Sequence, residues 1–304
     1  MKVDFDSLNN IFFVGIKGSG VCSLACFLNS KGYFVEGVDV SDKFHTDKIL
    51  SNNKISYYEN IYEFSLKELG RSFDLIVYSS AYDKYGLPAL LEAKELNIPI
   101  LSYSEVLGEL SRKYYSVGIA GSHGKTTTTA FLGLLFNKLG LNPNVIVGSS
   151  VKDFGDNSAI AGISNIFIAE TCEYKKHFLH FSPNMLILTN IDYEHVDFFE
   201  NYEALEDAFL QYINNLKKNG ILIINSDDNN LLKIKRQINR KDINIFSFGS
   251  KDLSSFQISN IVVKNEYFCF SFLGLCNVEL RTVLFHNVLN FSAALLALNL
   301  FFRK

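Results

Sequence analysis

Short apolar runs bounded by turn residues alternate along this chain with longer amphipathic stretches: IFFVGI at 11–16, FDLIVY at 73–78, NIFIA at 165–169 and MLILTNI at 185–191. That alternation is the pattern of parallel sheets covered by helices, so the chain is expected to be an α/β protein. Strands are expected near 11–16, 34–39, 73–78 and 98–101, with helices near 20–31, 87–96 and 104–113. A second set follows, with strands near 116–120, 144–147, 165–169, 185–191 and 221–225 and helices near 125–139, 202–218 and 287–302. Between 243 and 284 the period shortens to two, in FSFG, ISNIVV and YFCFSF, which predicts a mixed or antiparallel extension of the sheet. The 304 residues suit two domains at roughly 100–200 residues each. The boundary is expected near Ser111–Tyr115, giving domains over 1–112 and 113–304.

Composition removes several function classes. With 29 Lys and Arg against 32 Asp and Glu, the net charge of -3 gives no general attraction for nucleic acid or an anionic membrane, and neither is expected as a partner. The first residues precede an apolar run too short for a signal peptide. The longest apolar stretch, 288–302, is interrupted by Asn290 and Asn299 and falls short of the roughly 18 residues of a membrane span, so no membrane insertion is expected. The five cysteines, at 22, 26, 172, 269 and 276, form no CxxC pair and cannot all be paired, which predicts reduced thiols and a cytoplasmic location. Cys22 and Cys26, four apart on one helix face, read as small apolar residues packing inward.

Gly121-Ser122-His123-Gly124-Lys125-Thr126-Thr127 follows an apolar strand and opens a helix, the context a phosphate loop requires. Glycines let backbone N–H groups turn toward phosphate, the helix N-terminus adds partial positive charge, Lys125 reaches the outer phosphates and the Thr126 hydroxyl binds Mg²⁺. Strict GxxxxGK[ST] spacing fails, because Ile119 stands six before Lys125. The motif still predicts an ATP site. Glu170, ending NIFIA, and His195, following MLILTNI, fall at strand ends that converge on the same crevice and could complete a metal held by nucleotide phosphates. Taken alone, each reads equally as a surface carboxylate and a loop histidine.

Nearer the N-terminus, GIKGSGVCS at 15–23 closes the first strand and could present N–H groups to a pyrophosphate, with Asp39 accepting from a ribose hydroxyl. Read as GxGxxG from Gly18, the third glycine is Ser23, so NAD is poorly supported and another nucleotide diphosphate fits equally.

Taken in order, GSHGKTTTT, AETCEY, TNIDYEH and HNVLN at 286–290 resemble the Mur ligases, the ATP-dependent amide ligases of peptidoglycan precursor synthesis. GIKGSG and IVYSSAY at 76–82 resemble their UDP-binding domain. Within that family the motifs are most similar to members joining L-alanine to UDP-N-acetylmuramate. The resemblance implies a Rossmann-like UDP-sugar domain followed by a P-loop ATPase-like central domain. It implies ATP and Mg²⁺ as cofactors, Lys125 and Thr126 on the phosphates and metal, and Glu170 and His195 on magnesium. Gly121, Ser122, His123, Gly124, Thr127, His286, Asn287 and Asn290 complete the implied nucleotide site, and Gly18, Ser19, Gly20, Asp39, Ser79 and Ser80 the implied UDP site. Lys17 replaces a glycine common in the family, Tyr103 stands where an arginine is usual, and Gln211 lies near the place of the carbamylated lysine of some sister ligases.

The family's third, C-terminal domain, which closes over the amino acid, has no counterpart before Lys304. The implied chemistry is phosphorylation of the muramoyl carboxylate by ATP, then attack of the alanine amine on the acyl phosphate. Three other readings stand beside it: a recycling ligase that joins a whole peptide to the same UDP-sugar, a nucleotide-binding module without catalysis, and an NAD-dependent enzyme using the first glycine-rich turn.

Overall fold

The computed structural model describes residues 3–82, 86–251 and 254–303. Two compact units emerge, Met1–Leu110 with Asn144–Ile163, and Ser111–Pro143 with Ser164–Lys304.

In the first unit the chain runs β1 (Asn10–Val14), α1 (Ser19–Ser30), β2 (Phe34–Val38), α2 (His45–Asn52), β3 (Ser56–Tyr58), β4 (Leu75–Tyr78), α3 (Pro88–Glu95), β5 (Ile100–Ser102) and α4 (Tyr103–Lys113). Its five strands are parallel in the order β3-β2-β1-β4-β5. The chain works outward from β1 through β2 to β3, then returns to β4 on the other side. The order therefore reverses between β1 and β4, where an open α/β sheet offers a ligand crevice beyond the strand ends. Phe12 and Val14 of β1 and Ile76 of β4 are completely buried against Ile61, Phe73, Leu87 and Ala89, and Phe12 stacks on Phe64 at 5.4 Å between ring centroids. Pro88 at the first turn of α3 starts that helix where a missing N–H costs nothing.

The second unit opens with β6 (Tyr115–Ala120) and α5 (Lys125–Lys138). The chain then contributes an antiparallel hairpin, β7 (Asn144–Val151) and β8 (Asn157–Ile160), which groups with the first unit and packs on α1. It resumes with β9 (Ile166–Glu170), β10 (Met185–Leu188), α6 (Tyr202–Asn214), β11 (Ile221–Asn225), α7 (Asn229–Gln237), β12 (Asn244–Gly249) and β13 (Phe256–Gln257). These strands form a parallel ladder, β13-β12-β11-β10-β6-β9, with β6 flanked by β10 and β9. The expected period-two region splits in two. Its first part, β12 and β13, continues the parallel ladder, and the rest forms a separate antiparallel sheet, β14 (Ser259–Lys264), β15 (Tyr267–Phe272) and β16 (Leu275–Arg281).

The last helix, α8 (Phe285–Phe302), corrects one expectation. At 18 residues, with a mean hydropathy of 1.4, it reaches the length and apolarity of a membrane span despite Asn290 and Asn299. Its packing explains that apolarity, since it lies on α5 and against β11 and β12 with Asn290 and Ser292 buried. Phe291 meets Phe131 of α5 edge to face at 5.3 Å.

Candidate functional site

The phosphate loop lies between β6 and α5, and its shape is held by the segment that follows β10. Asn190 does most of this work: its carbonyl accepts from Ser122 N–H at 3.0 Å, its Oδ1 accepts from His123 N–H at 2.8 Å, and its Nδ2 donates to His123 O at 2.9 Å. Ser122 and Asp192 bond reciprocally, Oγ to carbonyl at 2.9 Å and N–H to Oγ at 2.8 Å, while Thr189 Oγ1 donates to His123 O at 2.6 Å. Gly124 caps α5 with a left-handed φ of 82° and no side chain, so the first-turn N–H groups face outward.

Lys125 and Thr126 open α5 and point to the carboxylates of β9 and the segment after it. The Thr126 hydroxyl donates to Glu170 Oε2 at 2.7 Å. Lys125 Nζ donates to the carbonyls of Gly121 at 2.5 Å and Ser122 at 2.9 Å, and stands 3.3 Å from both oxygens of Glu173. His195, with a left-handed φ of 56°, brings Nε2 to 3.4 Å from Glu173 Oε1. Tyr174 packs its ring 4.9 Å from His195 and donates its hydroxyl to Asp197. The structure thus pairs Thr126 with Glu170 and links Lys125 to His195 through Glu173. A ligand atom of each of Glu173, Glu194 and His195 lies within 4.8 Å of the other two.

His123, Gly124, Thr127, Asn190, Asp192, His286 and Asn290 line one cavity of about 510 Å³, whose wall at Gly124 is the Asn290 amide. Asn287 is not among them, because its Nδ2 donates to Thr282 Oγ1 at 3.0 Å, tying the start of α8 to the turn before it. Hydroxyl, carboxylate and imidazole are hard donors suited to a small divalent cation. Glu173 adds a second sign of fit: its Oε2 is buried and, among the described residues, accepts no hydrogen bond. Sequence reasoning missed Glu173, Thr189 and Asn190. The last two stand directly after an apolar strand, a position that marks a crevice residue, whereas Glu173 lies three residues beyond the end of β9.

In the first unit the structure places Gly18, Ser19 and Gly20 at the start of α1 beyond β1, and Ser79 and Ser80 beyond β4, on the two sides of the order reversal. The Tyr103 ring occupies the space a side chain at Gly20 would need, 2.9 Å from its Cβ position. Asp39 is turned inward. Its carboxylate, 2 % exposed, accepts from Lys17 N–H at 2.6 Å, Val40 N–H at 2.8 Å and the Tyr82 hydroxyl at 3.0 Å, so it holds the turn in shape and offers little to a ribose. Lys17 is equally buried, donating Nζ to the carbonyls of Val40 and Asp42 at 2.8 and 2.9 Å, 3.4 Å from Asp47 and 4.8 Å from the Tyr57 ring centroid. Burial raises the Asp47 pKa, but the Phe44 N–H, the Tyr57 hydroxyl and Lys17 together hold it below the usual value. Gln211 of α6 donates to Asp207 on its own helix.

Burial, and after it the Glu173 carboxylate, push the Cys172 thiol up to about 11. Against an ordinary thiol near pKa about 8.5, that leaves on the order of a hundredfold less thiolate at pH 8. In a timed iodoacetamide reaction read by peptide mass spectrometry, exposed Cys276 is expected to alkylate well before Cys172. Equal rates at the two would mean that the Cys172 thiol is not held back by its surroundings.

Residues 10–115 match the Mur ligase family catalytic domain and residues 119–298 the Mur ligase middle domain. The chain is 91% identical over 301 residues to the UDP-N-acetylmuramate–L-alanine ligase of Borrelia garinii subsp. bavariensis, covering 99% of this chain and 64% of that protein. It is 36% identical over 295 residues to the ligase of that name from Treponema pallidum (strain Nichols), covering 95% of this chain and 60% of that one. It thus spans a little under two thirds of the length of these relatives. Among solved structures, the UDP-N-acetylmuramate:L-alanyl-γ-D-glutamyl-meso-diaminopimelate ligase of Neisseria meningitides shares the fold at a TM-score of 0.80 and 22% identity, covering 96% of this chain and 94% of that one. The UDP-N-acetylmuramate–alanine ligase of Thermotoga maritima does so at 0.78 and 20%, covering 97% and 65%. Because the middle-domain match alone spans more than half of the residues, and holds the phosphate loop, Glu170 and His195, this chain belongs to the Mur ligase family.

Proposed function

We propose that this chain is the nucleotide- and UDP-sugar-binding part of a ligase that uses ATP to join L-alanine to the carboxylate of UDP-N-acetylmuramate. The observation carrying this reading is the Thr126–Glu170 pair beside Lys125 at the phosphate loop, in a chain 91% identical to a relative of that name. A carboxylate cannot be attacked by an amine directly, because the leaving group would be oxide. Phosphorylation by ATP first makes an acyl phosphate, from which the amine displaces phosphate. Bringing carboxylate to γ-phosphate sets anion against anion, a repulsion of about 4 kcal/mol per charge pair at 4 Å and effective dielectric 20. Lys125 and the N-terminus of α5 offset it by holding positive charge where the phosphoryl group transfers. Thr126, Glu170 and His195 would hold Mg²⁺, which neutralises phosphate charge when bound. The crevice beyond β1 and β4 would take the UDP diphosphate on the first turn of α1. ATP and a UDP-sugar are cytoplasmic metabolites, so the reading puts the reaction in the cytoplasm.

Titration calorimetry of the chain with UDP-N-acetylmuramate and with NAD⁺ tests the first-unit assignment, with binding expected for the UDP-sugar alone. Tight NAD⁺ binding without UDP-sugar binding would sink it. For the chemistry, UDP-N-acetylmuramate should stimulate phosphate release from Mg-ATP, and in the whole ligase L-alanine rather than an alanyl peptide should be the amine incorporated. The 90–91% relatives, both named for L-alanine, favour that amine over the peptide.

A further inference from the structure

We infer that Glu173 makes nucleotide binding at the phosphate loop depend on a divalent cation, because its buried carboxylate stands between Lys125 and His195 and repels an incoming phosphate until a cation lies between them. The inference rests on the reading that this loop takes a nucleotide. Glu173 is 1 % exposed, and both of its oxygens lie 3.3 Å from the Lys125 ammonium. The Lys125 ammonium is thus already partly neutralised by a charge of the protein's own, in addition to its bonds to the Gly121 and Ser122 carbonyls.

Among the described residues near it, the Lys125 ammonium faces the carboxylates of Glu170, Glu173 and Glu194, a surplus of negative charge that a divalent cation offsets. The three carboxylates do not contribute alike. Glu170 is bonded to the Thr126 hydroxyl, and the Glu194 side chain is 37 % exposed, where solvent and salt screen it. Glu173 is shielded from water, so solvent and salt screen it least of the three, and its charge is felt by whatever approaches its Lys125 partner. A nucleotide entering without a cation meets that charge offset in part by Lys125 and little by water. With a cation bound near His195, the same carboxylate attracts the complex. One residue therefore weakens one form of the ligand and strengthens the other, which is a coupling free energy between two ligands.

The test is calorimetric titration of the whole chain with ADP and with the β,γ-imido analogue of ATP, in excess Mg²⁺ and in EDTA. The wild-type chain is expected to bind the analogue far more tightly with Mg²⁺. Glu173→Gln, of the same shape without the charge, should tighten binding in EDTA and shrink the Mg²⁺ enhancement by about tenfold, within the usual range of coupling factors. Glu173→Asp, which keeps the charge, should retain most of the enhancement. A residue with only a structural role would weaken binding equally in both conditions. An enhancement within twofold of wild type in Glu173→Gln, or in Glu173→Ala should the glutamine variant fail to fold, overturns the inference. Failure of the wild-type chain to bind either nucleotide under both conditions instead overturns the nucleotide reading itself.

Discussion

Lys125→Ala should lower the affinity for Mg-ATP by roughly 30- to 4000-fold, the equivalent of about 2–5 kcal/mol for truncating one partner of a buried charged hydrogen bond. The Lys125 side chain is 13 % exposed, so water replaces little of what the ammonium supplies. Part of the effect arises before any ligand arrives. Removing the ammonium leaves the buried Glu173 carboxylate beside the His195 ring without its cation, and the variant is expected to melt at a lower temperature without ligand. UDP-N-acetylmuramate, assigned to the first unit, should bind as before and shows that the chain is still folded. ATP should lose more affinity than ADP if the ammonium moves from its carbonyl partners to the outermost phosphate. Affinity for Mg-ATP within threefold of wild type, with the ligand-free fold intact, would remove Lys125 from the phosphate site.

Gly121→Ala should be more damaging still, because it breaks the fold and the loop together. Gly121 has φ 136°, a conformation L side chains rarely adopt, and an added Cβ would lie 2.7 Å from the Asn190 carbonyl oxygen and against Thr189 Oγ1. Neither neighbour can give way cheaply. The Asn190 carbonyl accepts from Ser122, and Thr189 donates to Ala120 and His123. Backbone strain of about 1–3 kcal/mol adds to overpacking of about 1–3 kcal/mol, which corresponds to a fall in Tm on the order of 5–20 °C. Gly140→Ala is the control. Gly140 also has a left-handed φ, 73°, but nothing lies within 4 Å of its Cβ position, so it should cost about 1 kcal/mol and leave nucleotide binding unchanged. Similar falls in Tm for the two variants would show that the Thr189–Asn190 brace contributes nothing.

The elements legible in the sequence were those whose burial is continuous. β1, β9, β10 and β11 are buried along nearly their whole length, so each reads as an unbroken apolar run. The missed elements bury too little to leave a period. α2, HTDKILSN, buries Thr46, Ile49 and Leu50 in eight residues; β3 is three residues long; α7, NNLLKIKRQ, buries Leu231 and Ile234. Lys125, Thr126, Glu170 and His195 were legible because strand ends converge in a parallel sheet and the residue types suit phosphate and metal. Glu173 was not, since three residues after a strand nothing local distinguishes a carboxylate aimed at the crevice from one aimed at solvent. Asp39 and Asn287 show the converse. Each occupies a motif position, but a backbone turn in one case and Thr282 in the other engages the side chain.

The segment after β10 braces the phosphate loop with bonds between Thr189, Asn190 and Asp192 on one side and Ser122 and His123 on the other. The Lys125 side chain is placed differently, since it must leave two carbonyls and a carboxylate to reach a phosphate. News that the nucleotide has arrived would then pass as a change of partner by a single ammonium, and His195, on the far side of Glu173, is the first residue placed to receive it.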